Sequence, residues 1–154
     1  MLMNRTHLPG RLLPLLSVSI LALGSLPVQV FAEVMVSDAW ARATPPGART
    51  GAIYLSLENS GADPVHLVDA ETDVADRAEL HTHVHEDGMM RMEQVEAIGV
   101  PAGGTASLKP HGDHLMLIGL QRALAPGDSV AITLAFDDGS RVELDVPVRD
   151  GRRR

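Results

Sequence analysis

Residues 77 to 94 read RAELHTHVHEDGMMRMEQ, and the alternation within this stretch decides the fold. Ala78, Leu80, Thr82 and Val84 fall on one side of an extended chain, with Glu79, His81, His83 and His85 on the other. Side chains that alternate with a period of two belong to a strand with one face on a core and one turned outward. EDGM, Glu86 to Met89, interrupts the pattern as a turn, and MRMEQVEAIGV returns as the partner strand. A four-residue turn sets His85 opposite Met90, His83 opposite Met92 and His81 opposite Gln94. A three-residue turn would slip the pairing by one and send Met92 to the face away from the histidines.

The same periodicity extends in both directions. GAIYLSLEN alternates Ile53, Leu55 and Leu57 with Tyr54, Ser56 and Glu58. MVSDAWARA, PVHLVDAET, TASLKP, HLMLIGL, VAITLAF and RVELDVPV are further short extended segments, separated by turn signals at PPG (Pro45 to Gly47), ENSGADP, PAGG (Pro101 to Gly104) and DDGS (Asp137 to Ser140). Many short strands with turns about every 8 to 12 residues imply an all-β sandwich or barrel of about eight or nine strands. Only ADRAEL is a candidate for a helical turn, and Trp40, the single tryptophan, is expected in the core.

Residues 1–32 differ from the rest. Arg5 and Arg11 precede the mostly apolar LLPLLSVSILALGSLPV, and Val30-Phe31-Ala32 before Glu33 supplies the small residues of a signal-peptidase site. Pro14 and Pro27 bracket too short an apolar run for a membrane anchor, which needs about 20 residues. The expectation is a cleaved secretory signal at 1–32, one domain at 33–149 with no membrane span, a short basic tail at 150–154, and an exported, periplasmic protein. Without the leader, 11 basic residues face 20 acidic ones, a net charge of -9. That balance opposes nucleic acid and suits cations or basic protein patches. The chain has no cysteine, which removes thiol nucleophiles, iron–sulfur clusters, zinc–thiolate sites and blue-copper centres.

After the leader there are eleven histidines and methionines, and nine of them lie between positions 81 and 116: His81, His83, His85, Met89, Met90, Met92, His111, His114 and Met116. Uniform scatter would put about three there, so methionine used as core filler does not explain the density. Imidazole suits copper, zinc, iron and nickel, whereas thioether sulfur favours Cu(I); the mixture points to copper. His114 and Met116 stand at i and i+2 of a strand and leave the same face.

At these residues the chain resembles the PCuAC family of periplasmic copper chaperones, whose motif is a histidine, ten residues, a methionine, twenty-one residues and histidine-x-methionine. His81, Met92 and His114-Leu115-Met116 reproduce that spacing, and GMMRM, PAGGTASLKP, HLMLIGL and APGDSVAITLAF are similar to the family's text. The resemblance implies a cupredoxin-like fold binding one Cu(I) through His81, Met92, His114 and Met116. It further implies delivery of copper to the dinuclear centre of a respiratory oxidase subunit alongside Sco-type thiol proteins. Thr82 stands where the family often has methionine, and His111 where glycine is usual. The closing VRDGRRR carries none of the His/Met-rich tail that some members use for Cu(II).

The remaining donors have plainer readings. His83, His85 and His111 read as solvated groups, with an auxiliary Cu(II)-type nitrogen site as the alternative. Met89 and Met90 read as gap-fillers at the turn. Asp113 and Glu79 are candidates to orient an imidazole. No nucleophile–base pair or carboxylate dyad marks an enzyme. The competing functions are copper sequestration, storage or resistance, and a metal-free β-sandwich interaction module.

Overall fold

The computed structural model describes residues 34–151. The expected leader and Arg152 to Arg154 lie outside them. Ten strands follow one another: β1 (Val34–Arg42), β2 (Thr50–Asn59), β3 (Val65–Thr72), β4 (Ala75–Glu86), β5 (Met89–Gln94), β6 (Ile98–Val100), β7 (Thr105–Leu108), β8 (His114–Leu120), β9 (Ser129–Phe136) and β10 (Arg141–Arg149). There is no helix among the described residues. The all-β expectation holds.

Hydrogen bonding runs in the order β5-β4-β8-β2-β1-β10-β9-β3-β6, with β7 added to β2. One antiparallel group, β5-β4-β8-β2-β1, joins a second, β10-β9-β3-β6, through a short parallel contact in which Ala41 opposes Val148 and Arg42 opposes Arg149. The inner faces bury one core: Ile53, Leu57, Leu115 and Leu117 from the first group meet Leu67, Val130, Leu134 and Val146 from the second. With His114, Asn59, 2% exposed, is one of two buried polar residues among those described. Its side chain donates to the Asp63 carbonyl at 2.8 Å and accepts from the Gly61 amide at 2.9 Å, so it closes the ENSGADP turn from inside.

Three details depart from the sequence reading. MRMEQVEAIGV is two strands, which brings the total to ten. Val95 still donates to the Leu80 carbonyl, but the chain then crosses to the other half, where Val100 pairs with Val65. Periodicity marks Ile98 and Val100 as buried on one face without saying which sheet they join. ADRAEL is strand throughout, because Ala75, Arg77 and Ala78 pair with Leu120, Ile118 and Leu117 of β8. Trp40 is half-buried instead of central; a bulge between Ser37 and Trp40 re-aims the strand, and the indole stacks on Tyr54 at 4.7 Å.

The turn between β4 and β5 has the two-residue form. Glu86 opposes Met89, and Asp87 and Gly88 both have positive φ, 51° and 76°. Such turns match the right-handed twist of the paired strands, which is why Asp-Gly is favoured there. A Cβ on Gly88 would meet nothing within 4 Å, so Gly88→Ala is expected to cost only the backbone strain of a positive φ, about 1 kcal/mol. Urea titration should show a lower midpoint with an unchanged slope.

Candidate metal centre

The turn fixes the register, and the register builds the site. β4 lies between β5 and β8. His81 opposes Gln94 on one side and His114 on the other, His83 opposes Met92, and His85 opposes Met90. Met116 opposes Glu79 on β4 and Ala52 on β2. Directly paired residues project from the same face of a sheet, so Glu79, His81, His83, Met92, His114 and Met116 share one surface. The four-residue reading of EDGM is the one that the register follows.

Within that surface the donors converge. His114 Nε2 lies 3.1 Å from Met92 Sδ. The imidazole centroids of His81 and His114 are 5.8 Å apart, and those of His83 and His114 are 5.2 Å apart. Met116, Met92, His114, His83 and His111 line one open cavity of about 510 Å³, with Tyr54 also contributing to its wall. His114 is 4% exposed, whereas Met92 is 47% exposed. The nitrogen donor is therefore anchored and one sulfur donor is accessible.

Hydrogen bonds decide which nitrogen of each ring is free. The turn at Lys109 to Asp113 is closed by Lys109 N–H donating to the Asp113 carbonyl and Gly112 N–H donating to the Lys109 carbonyl. The Gly112 carbonyl accepts from His114 Nδ1 at 3.0 Å and from His83 Nδ1 at 3.1 Å. A carbonyl only accepts, so both Nδ1 atoms carry the proton, and Nε2 of each neutral ring holds a lone pair. His81 is tied the other way round. Its Nε2 donates to Glu79 at 3.0 Å, and its buried Nδ1 has no partner. Thioether sulfur carries no proton either, so His114 Nε2 and Met92 Sδ are two electron-pair donors that face each other with no hydrogen between them. An unsatisfied buried acceptor costs about 1–3 kcal/mol. This site has such an acceptor on His81, whose ring centroid is 5.8 Å from that of His114.

Among the described residues, no three His, Asp or Glu side chains converge as a metal site on their own. Sulfur is what completes the donor set. Its softness, together with two neutral imidazoles, suits a monovalent copper ion and not calcium or magnesium. Of the other sequence candidates, Glu79 orients His81, while the partner of His114 is the Gly112 carbonyl and not the Asp113 side chain. No residue pattern flags a main-chain acceptor, so the sequence reading missed Gly112. His85, Met89 and Met90 are exposed along the hairpin. His66 pairs with Asp137 at 2.8 Å on β3, outside the donor cluster.

Burial pushes the His114 pKa below the usual histidine value, a shift partly offset by the bond to Gly112. The hydrogen bonds from His81 and Arg77 hold the Glu79 carboxyl below its usual range.

A family model described as "Putative lipoprotein LpqE-like" matches residues 34–148. A "Putative lipoprotein" of Leifsonia xyli subsp. xyli is 36% identical over 118 residues, which is 76% of this chain and 70% of that one. The solution structure of Cu(I)-bound DR1885 from Deinococcus radiodurans shares 37% identity and a TM-score of 0.63, covering 85% of this chain and 84% of that one. The copper-bound PCuAC domain from PmoF2 superposes with a TM-score of 0.65 over 79% of this chain and 99% of that one; at 19% identity it speaks for the fold alone.

The depressed His114 pKa makes a prediction about the metal-free chain. Between the folded value and about 6.5 the unfolded chain binds a proton at this position and the folded chain does not, so stability rises with pH across that window. Thermal melts should therefore lose stability as pH falls below about 6.5, and His114→Leu should flatten that part of the profile. Protonation of Glu79 adds a separate loss only below its ordinary value of 4.5.

Proposed function

The chain belongs to the LpqE-like family, a PCuAC family of copper chaperone domains and not of enzymes, and from this we propose that it carries one Cu(I) ion on His81, Met92, His114 and Met116 and hands it to the assembly of a respiratory oxidase's dinuclear copper centre. The observation that carries this reading is the approach of His114 Nε2 to Met92 Sδ, two unprotonated donors 3.1 Å apart. His81 Nδ1, buried and without a partner, supports it, as does Met116 in the wall of the same cavity. The matched relative DR1885 was solved with Cu(I).

The donor set suits a carrier. Thioethers and neutral imidazoles compensate none of the ion's charge, so an acceptor offering thiolates displaces them one after another through shared-ligand intermediates, with no change in oxidation state. Release begins at the exposed Met92, while the buried His114 holds the ion until the acceptor has engaged. Glu79 keeps the His81 ring turned with Nδ1 available, the task that metal-binding histidines commonly assign to a carboxylate. The lipoprotein names of the family and of the Leifsonia relative fit an exported protein. A periplasmic location after cleavage near residue 32, and Sco-type thiol proteins as companions, belong to the same proposal.

A competition titration with a Cu(I) chelator tests the site. The wild-type chain should take up one tight equivalent, and Met92→Leu with Met116→Leu should abolish it while the circular dichroism spectrum stays β-type. Wild-type chain that takes up no tight Cu(I) would end the proposal. Affinity should weaken as pH drops below about 6.5, since each imidazole must lose its proton to bind. Glu79→Gln should weaken binding by about 10- to 100-fold without changing the stoichiometry. Delivery is tested separately, by transfer of the ion to a purified oxidase copper-bearing domain.

A further inference from the structure

The donor face holds more imidazole than a four-coordinate ion needs, and the excess is not scattered. His83 stands directly opposite Met92. In a hairpin closed by a two-residue turn, the closing pair Glu86–Met89 is the hydrogen-bonded kind and the pairs then alternate, which makes His83–Met92 a close-approach rung. The Gly112 carbonyl that fixes the tautomer of His114 fixes that of His83 as well, at 3.0 Å and 3.1 Å. Both rings thus have Nε2 as the free donor. Two imidazoles bound tetrahedrally to one ion through nitrogens at about 2 Å have ring centroids roughly 5 Å apart. His83 and His114 stand 5.2 Å apart, against 5.8 Å for His81 and His114. His83 lines the open cavity together with Met92, His114 and Met116, whereas His81 does not line it and its side chain is only 12% exposed beside Glu79.

We propose that His83 is a fifth donor that exchanges with His81, so that the ion rests on Met92, His114 and Met116 in common and on either of two imidazoles. The proposal rests on the Cu(I) reading above and deepens it. His81 completes the inner arrangement, beside Glu79 and away from the cavity. His83 completes an outer one that faces the cavity. Moving between them breaks one Cu–N bond and forms another, transfers no electron, and needs no proton because both rings are neutral in the bound state. Four donors are kept throughout, so the ion advances toward solvent and an incoming thiolate without passing through an undercoordinated state.

The test uses the leader-free chain loaded with Cu(I), with His81→Gln, His83→Gln and the double substitution, each checked for β-type circular dichroism. X-ray absorption counts nitrogen donors, chelator competition gives affinity, and glutathione-driven release gives the exchange rate. His81→Gln should keep two nitrogen donors and one equivalent of copper, and the double variant should fall to one nitrogen. The affinities of the two single variants should together make up that of the wild type, a weakening of about twofold each if the two arrangements are equally populated, and the double should weaken by far more than the product of the two. His83→Gln should also slow glutathione-driven release. The proposal is overturned if His83→Gln matches wild type in affinity and release while His81→Gln alone drops to one nitrogen. That result would leave the four-donor reading intact, whereas wild-type chain without tight Cu(I) binding removes both.

Discussion

The whole donor face depends on a two-residue turn. Asp87 and Gly88 sit at φ values of 51° and 76°, and this geometry sets Glu86 opposite Met89 and thereby every later rung of the β4–β5 ladder. Because side chains alternate with a period of two, a slip of one residue would turn Met92 to the opposite face from His83. β4 carries the same constraint to β8, where the register brings His81 beside His114. Met92 and His114, separated by 22 positions, meet at 3.1 Å because both of their strands are paired to β4.

A second constraint acts on protons. The Gly112 carbonyl and the Glu79 carboxylate together assign the tautomers of three imidazoles, leaving Nε2 of His114 and His83 and Nδ1 of His81 as electron-pair donors. These donors are held in place by hydrogen bonds that belong to the fold. The arrangement fixes which ring nitrogen faces the donor cluster, and the burial of His114 opposes its protonation. Preorganisation of this kind lowers the ordering cost of binding, while Met92 stays accessible to solvent.

One further imidazole has a place in this geometry. His111 occupies a left-handed conformation at φ 65°, one in which glycine is unstrained and histidine is among the tolerated residues. Its ring stands 6.1 Å from that of His83 at the cavity edge.

The sequence by itself determined the all-β class, the Asp-Gly turn and the face on which His81, His83, His85, Met90 and Met92 lie. Those are consequences of a period of two and of local turn chemistry, which short stretches of chain encode directly. Only the tertiary structure decided that Ile98 to Val100 joins the other half of the sheet, that Trp40 stacks on Tyr54 at the edge of the core, and that a main-chain carbonyl in a distant turn orients two of the histidines. It also turned His83 toward the cavity and His81 toward Glu79, although both belong to the same face of the same strand. The physical reason is that a strand's period fixes which side a residue takes, while the partner of each ring nitrogen depends on β8 and the turn before it, which reach β4 only when the sheet has formed.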